Sequence, residues 1–184
     1  NPDVNKPVLN FISEAPLEDI HGGVYNADHI MSTVDFNPKN IENTKGKVQF
    51  KVAGLETGID TRDQHLQSPT WLNAEKYPNV TFDLKSMKNV KVDPKGENMA
   101  IIKGTAVGDL SLHGETKTME IPLSITYIKE NADSKKRAPG DLLSTYGRFT
   151  IALKDFNVKG MGDIIGSKVG ETIDINFKLF YNSK

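Results

Sequence analysis

Asp109, Ser111 and His113 have the residue types of a nucleophilic triad. Their spacing of two would place all three side chains on one face of a continuous strand, with Leu110 and Leu112 on the buried face. Neighbours on such a face are roughly 6.6 Å apart along the strand, which is too far for the short contact between a nucleophile and its base. The chain also has no Gly-x-Ser-x-Gly elbow. Hydrolase activity is therefore the least favoured of the functions weighed.

A second polar cluster consists of Arg62, Asp63 and His65. A carboxylate that orients an imidazole beside a cation could support acid–base catalysis. The same residue types, two and three apart in a capped helical turn, also form good local structure. We favour the structural role and predict no catalytic residue and no enzyme.

Metal and cofactor sites have little support in the sequence. His21, His29, His65 and His113 lack the close paired spacing of helical zinc motifs, and the absence of cysteine removes thiolate ligands. The glycine-rich residues 156–166 lack the lysine of a phosphate-binding loop. We predict no metal and no cofactor.

Length and charge limit the remaining possibilities. The chain has 184 residues, a net charge of -1 and no apolar run near the roughly 20 residues that span a bilayer. We expect one domain over residues 1–184, no nucleic-acid partner and no integral membrane segment. The start at Asn1-Pro2 suits a processed chain from which a targeting segment has been removed.

Apolar residues recur with a period of two along most of the chain, which predicts strands with one buried face. Strands of this kind are expected around residues 47–52, 80–84, 119–127, 149–153 and 173–181, with a shorter one at 33–36. Residues 98–112 are expected to form two strands broken near Gly108-Asp109. The count is seven to nine strands.

Helix-capping chemistry interrupts this pattern between residues 57 and 78. Thr61 and Gln64 form a capping box, so a short helix is expected to begin at Thr61. Ser68-Pro69 repeats an N-terminal helix pattern, and Tyr77-Pro78 returns the chain to an extended path.

Strands with one apolar face must pair or protect their edges, and closure into a barrel does this. We predict an all-β fold, an elongated eight-stranded antiparallel barrel with short helices between strands, and keep a sandwich as the alternative. A barrel of this size is either filled by side chains or holds one small ligand, and both remain open at this point.

Several short motifs resemble those of the YceI-like family of bacterial proteins. They are Arg62-Asp63-Gln64-His65-Leu66, Pro69-Thr70-Trp71-Leu72-Asn73, Lys76-Tyr77-Pro78-Asn79-Val80-Thr81-Phe82 and the His-Gly-x-Thr-Lys turn at residues 113–117. The resemblance implies a lipocalin-like barrel that binds a polyisoprenoid lipid or an isoprenoid quinone. It also implies a periplasmic or secreted location, and a homodimer is possible.

A linear lipid requires a long apolar cavity, and each buried methylene contributes about 0.8 kcal/mol. The candidate ligand-binding residues are the apolar side chains Phe50, Val52, Leu55, Leu66, Trp71, Leu72, Tyr77, Phe82, Leu84, Leu112, Ile121, Leu123, Phe149, Leu153 and Phe177, with Arg62, Asp63 and His65 near the entrance. The loop with Met161, Ile164 and Ile165 is expected to cover a barrel end or contact another subunit. The alternative function is a filled-core β-module for protein interaction.

Overall fold

The computed structural model describes residues 8–183, and there the backbone forms one antiparallel sheet of nine strands. The strands are β1 (Leu9–Glu14), β2 (Asp19–Val24), β3 (Ile30–Asp35), β4 (Lys45–Lys51), β5 (Asn79–Pro94), β6 (Met99–Leu112), β7 (Glu115–Ile128), β8 (Leu142–Ala152) and β9 (Thr172–Asn182), and the α-helix α1 is Asp60–Gln67. Short 3-10 helices cover Ala27–His29, Ile41–Asn43, Val52–Gly54, Ser134–Lys136 and Leu153–Phe156. The start at Asn1-Pro2 lies outside the described residues.

The strand order is β2-β1-β9-β8-β7-β6-β5-β4-β3, so β3 to β9 form a continuous meander and β1 and β2 are added beside β9. The sheet curls, and its edge strands β2 and β3 are not hydrogen-bonded to each other in this order. Gly23 and Glu56 instead exchange two backbone hydrogen bonds of 2.9 Å, which join β2 to the chain after β4. The all-β antiparallel prediction is confirmed, while the barrel is incompletely closed.

The nine strands lie within the predicted count of seven to nine, but the predicted eight-stranded barrel is one strand short. The two strands of the amino-terminal hairpin, β1 and β2, were not predicted, whereas residues 98–112 were predicted as two strands and form one. Gly22 and Gly23 interrupt alternation in β2. Gly22 pairs with Phe11 of β1, and a Cβ at Gly22 would lie 2.3 Å from the Phe11 ring. The glycine therefore makes room for a ring from the neighbouring strand, a contact that local propensity does not reveal.

The predicted break near Gly108-Asp109 is also wrong, because β6 runs without interruption from Met99 to Leu112. Its register with β7 is continuous over this whole length. A Cβ at Gly108 would lie 2.7 Å from Cζ of Phe82. The same Cβ would lie 2.4 Å from the Asp83 carbonyl oxygen, so Gly108 accommodates both the backbone of β5 and the Phe82 ring and does not end the strand.

The helix begins at Asp60, with Ile59 at the N-cap and no side-chain cap, so the predicted Thr61 cap is wrong. Ser68 is the C-cap residue that follows α1, and its hydroxyl donates a hydrogen bond to the His65 carbonyl oxygen at 2.6 Å. The second helix expected at Ser68-Pro69 is absent from the described residues, where residues 69–76 form turns and irregular backbone. A serine after a helix can bond backward as well as cap forward, and the sequence pattern does not distinguish the two.

Two apolar clusters lie inside the curled sheet. We call the end that carries α1 and residues 157–171 the upper end. The upper cluster includes Val52, Leu110 and Phe156, and the lower cluster includes Ile102 and Ile125.

The hairpin between β6 and β7 is fastened to its neighbours by the His113-Gly114 turn. Leu112 pairs with Glu115, and the two loop residues have φ values of 52° and 81°, as a type I′ turn requires. Nδ1 of His113 lies 3.0 Å from the Phe156 carbonyl oxygen. The Tyr77 ring meets the His113 ring edge-on, with centroids 5.2 Å apart.

We expect Gly114→Ala to destabilise the protein by about 1–3 kcal/mol more than Gly58→Ala, because only the first change overpacks a neighbour. A Cβ at Gly114 would lie 2.6 Å from the Tyr77 ring, whereas Gly58, with a similar φ of 78°, has no atom within 4 Å. Urea unfolding of both variants measures the difference. Equal losses would show that the Tyr77 contact does not constrain the turn.

At the lower end, Tyr127 connects β7 to the loop before β8. Its hydroxyl donates to Oδ2 of Asp141 at 2.7 Å, and the Glu130 N–H donates to Oδ1 of the same carboxylate at 2.8 Å. Burial, followed by the hydrogen bond to Asp141, raises the Tyr127 pKa from 10.0 to about 12. The hydrogen bond from Tyr127, followed by that from Glu130, lowers the Asp141 pKa.

We expect Tyr127→Phe to lower the free energy of unfolding by about 1.5–3 kcal/mol near neutral pH, since a hydrogen bond to a charged group is lost. The raised pKa means that this stabilisation is fully present below pH 10 and is lost as the pH approaches about 12. Denaturant unfolding across that range should therefore show the deficit of the variant shrinking. Tyr146→Phe, at a tyrosine that is 49% exposed, is the control. A difference in unfolding free energy between the parent protein and Tyr127→Phe that stays constant from pH 10 to about 12 would contradict the stabilising role of the Tyr127–Asp141 hydrogen bond.

Candidate functional site

A cavity of about 380 Å³ lies inside the upper end of the sheet. Its buried walls come from strands and from the segments that follow them, and they are aliphatic: Leu55, Leu72, Val80, Leu110, Leu112, Ile151, Leu153 and Val158. These side chains reach the cavity because alternate residues of each strand face inward. Ile59 and Met161 also line the cavity and are 46% and 58% exposed, so the cavity opens between α1 and residues 157–171.

Polar side chains occur at this opening, which we call the rim. The rim residues with polar side chains are Glu18, Thr57, Thr61, Arg62, His65 and Lys168. Arg62 of α1 forms a salt bridge with Glu18 of the β1–β2 connection. Because these side chains remain 29% and 39% exposed, the ion pair contributes no more than about 1 kcal/mol. The ion pair therefore joins two segments that are distant in the sequence, α1 and the β1–β2 connection, at the entrance of the cavity.

Asp63 has a different position from Arg62 and His65, because it does not line the cavity. Its Oδ1 accepts hydrogen bonds from the N–H of Thr57 at 2.7 Å and from the Thr57 hydroxyl at 2.6 Å. These bonds tie α1 to the segment that leads into it. Asp63 therefore positions the helix, while Arg62 and His65 line the rim.

The other predicted ligand-binding residues divide into three groups. Those that line the upper cavity are Phe50, Leu55, Leu66, Trp71, Leu72, Leu112, Phe149 and Leu153. Those that line a separate lower cavity of about 70 Å³ are Phe82, Leu84, Ile121, Leu123 and Phe177. Val52 is fully buried in the upper cluster, and Tyr77 packs against His113, so neither lines a cavity.

Sequence reasoning missed the cavity wall that the amino-terminal hairpin provides. Leu9, Phe11 and Ser13 of β1 and Ile20 of β2 all line the upper cavity. The alternation of Leu9, Phe11 and Ser13 was visible and could have identified this strand. The 157–171 segment supplies Met161, Ile164, Lys168 and Val169, which agrees with a loop over the end of the barrel.

The three residues of triad type do not form a triad. Ser111 is hydrogen-bonded to the Thr116 hydroxyl at 2.8 Å, and Asp109 accepts from the Thr118 hydroxyl at 2.8 Å. His113 is held by the Phe156 carbonyl oxygen at 3.0 Å. Within residues 8–183, no group of three or more histidine, aspartate or glutamate side chains is placed to hold a metal ion.

The fold and the cavity define a class of protein, a curled antiparallel sheet with an apolar internal pocket that opens at one end. Comparison with known families then gives the particular family. The model of the YceI-like domain matches residues 10–181, and the chain belongs to that family.

Individual relatives agree with this assignment. A UPF0312 protein of Pseudomonas savastanoi is 30% identical over 165 residues, which cover 90% of this chain and 74% of the relative. The crystal structure of Burkholderia cenocepacia BcnA has a TM-score of 0.70 at 21% identity and covers 99% of this chain and 100% of its own. A polyisoprenoid binding domain from Saccharophagus degradans, implicated in plant cell wall breakdown, has a TM-score of 0.62 at 13% identity and covers 96% and 93%. The two structural similarities concern the fold.

Asp63→Ala is expected to lower the free energy of unfolding by about 1–3 kcal/mol more than Asp60→Ala, because it removes two charge-assisted hydrogen bonds. Both variants delete one carboxylate from the first turn of α1, and Asp60 is the matched control for the effect of charge on the helix dipole. Thermal or urea unfolding measures the difference. Equal destabilisation would show that the bonds to Thr57 do not hold the helix.

Proposed function

We propose that this protein binds an amphiphilic isoprenoid lipid, either a polyprenyl chain or an isoprenoid quinone, in the upper cavity. The observation that carries the proposal is the arrangement of the pocket, whose walls are mainly aliphatic with a few aromatic rings, and whose charged side chains lie at the rim. Such a pocket fits a ligand with an apolar chain and one polar end. The polyisoprenoid binding domain with a similar fold supports the same ligand class.

The size and chemistry of the cavity fit this ligand class. Its volume of about 380 Å³ falls within the range of roughly 300–1,000 Å³ that is usual for small-molecule pockets. Each methylene moved from water into the cavity contributes about 0.8 kcal/mol, so a chain of several isoprene units gains binding energy in proportion to its buried length. The filled-core alternative is less favoured because the upper end is hollow.

The head group is proposed to lie at the rim, where Thr61, Arg62, His65 and Lys168 can donate hydrogen bonds. These donors suit the hydroxyl of a polyprenol or the carbonyl oxygens of a quinone. The triad-type residues have other hydrogen-bond partners, which supports a binding role in transport, storage or sensing over catalysis.

A periplasmic or secreted location is part of the same proposal and rests on membership of the YceI-like family. No helix within residues 8–183 combines the length and the apolar character that a membrane crossing requires. Association into a homodimer stays a prediction.

Native mass spectrometry of the gently purified protein, followed by organic extraction and lipid identification, tests the proposal. We expect a discrete added mass that matches an isoprenoid. Protein that remains free of lipid after incubation with polyprenols and isoprenoid quinones would contradict the proposal and favour a β-module for protein interaction.

A cavity-filling variant relates the bound lipid to the upper cavity. Ile175 of β9 lines this cavity, so Ile175→Trp places an indole in the ligand space and should reduce lipid affinity at least about tenfold. Lys178→Trp, on the exposed face of the same strand, is the control and should retain the lipid. Equal lipid occupancy in the two folded variants would place the ligand elsewhere.

A further inference from the structure

The interior of the curled sheet is divided into two compartments. The upper cavity of about 380 Å³ and the lower cavity of about 70 Å³ have no lining residue in common. Both have mainly apolar walls, and both are lined by inward-facing residues of β4, β5, β6, β8 and β9. Something between them therefore interrupts a space that would otherwise extend along the barrel axis.

The boundary falls between consecutive inward-facing residues on two strands, β9 and β5. On β9, Ile175 lines the upper cavity and Phe177, the next inward residue, lines the lower one. On β5, Val80 lines the upper cavity and Phe82 the lower one. Two phenylalanine rings thus stand where the upper cavity ends.

Each ring lies over a glycine of the adjacent strand. A Cβ at Gly147 of β8 would be 2.4 Å from Cζ of Phe177, and a Cβ at Gly108 of β6 would be 2.7 Å from Cζ of Phe82. Both glycines occupy inward positions between residues of the upper and lower cavities. The rings therefore take the volume that side chains at Gly108 and Gly147 would have filled.

The Phe177 ring is also supported from the upper side. Its centroid lies 6.4 Å from that of Phe149, and the two rings meet edge-on. Phe149 itself lines the upper cavity. The Phe177 ring is therefore contacted from above by Phe149 and from the adjacent strand by Gly147.

We propose that Phe82 and Phe177 form an aromatic partition that limits the length of the prenyl chain this protein accepts. The inference rests on the proposed lipid-binding function and specifies its substrate class, an isoprenoid short enough to end at the partition. A longer chain must leave its excess isoprene units outside the rim, where their burial contributes nothing. The protein therefore selects prenyl chains by length, because only the isoprene units that fit above the partition are buried and contribute to affinity.

Removing the partition should join the two cavities. The inward residues of β9 below the boundary run from Phe177 to Tyr181, a distance of roughly 13 Å at about 3.3 Å per residue. A variant without the rings therefore offers a deeper tunnel to a long chain. Because Gly108 and Gly147 have no side chains that could move into this space, truncation of the rings leaves it open.

The experiment compares three prenyl alcohols, farnesol, geranylgeraniol and solanesol, which differ in chain length and share one head group. Competition between geranylgeraniol and solanesol is read by native mass spectrometry. The fluorescence of Trp71, the single tryptophan and a lining residue of the upper cavity, gives an independent titration. We expect the parent protein to prefer a shorter alcohol, and Phe82→Ala/Phe177→Ala to shift the affinity ratio toward solanesol by at least about tenfold.

Leu179→Ala is the matched control, because it enlarges the lower cavity and leaves both rings in place. It should not change the ratio. If the double alanine variant does not fold, Phe82→Leu and Phe177→Leu should shift the ratio in the same direction by a smaller factor. An unchanged ratio in folded variants, or a parent protein that prefers solanesol, would overturn the partition.

The two proposals fail in different ways. A parent protein that binds none of the three alcohols would contradict the lipid-binding function and the inference that rests on it. Binding of all three with no dependence on Phe82 or Phe177 would leave lipid binding intact and contradict the partition alone.

Discussion

The volume of the inward-facing side chains at each level of the barrel determines which part of its interior is empty. At the upper end these side chains are mostly aliphatic, such as Val80, Leu110 and Ile151, and they leave a cavity of about 380 Å³. At the middle level two phenylalanine rings occupy the space above Gly108 and Gly147. Below them the interior is nearly filled. The hollow upper end, and with it the proposed ligand site, depends on this uneven distribution of side-chain volume.

The entrance to the cavity is built by segments that are distant in the chain. Asp63 holds α1 to Thr57, and Arg62 of the same helix pairs with Glu18 after β1. The chain on the opposite side of the opening, residues 157–171, contributes both apolar Met161 and cationic Lys168. The pocket is therefore polar at its opening and apolar in its interior. A ligand with one polar end therefore has one favourable orientation.

Strand alternation predicted the sheet well because it depends on burial, and burial imposes a period of two on each strand. For this reason the strands β5, β7 and β9 could be predicted from the sequence. Strand β2 and the unbroken β6 were not predictable in this way, since Gly22 and Gly108 look like interruptions until the rings of Phe11 and Phe82 are placed over them. Such contacts join distant parts of the sequence, and local patterns carry no information about them.

The candidate site was predictable in kind but less so in position. The apolar residues near Trp71 line the upper cavity, whereas Phe82 and Phe177 fall below it because cavity depth depends on how far each ring reaches across the barrel. The helix start was misplaced because the side chain that anchors α1 is Asp63, which bonds to Thr57 six residues earlier, and no cap lies at Thr61. A capping pattern does not reveal a bond of that span.

The most direct test of the central claim is a crystal structure of the protein with geranylgeraniol bound. We predict that the hydroxyl of the ligand lies among the polar groups of the rim and that the end of its chain lies against the rings of Phe82 and Phe177. A ligand on the outer surface of the sheet, or one with its hydroxyl at the partition and its chain at the rim, would contradict it.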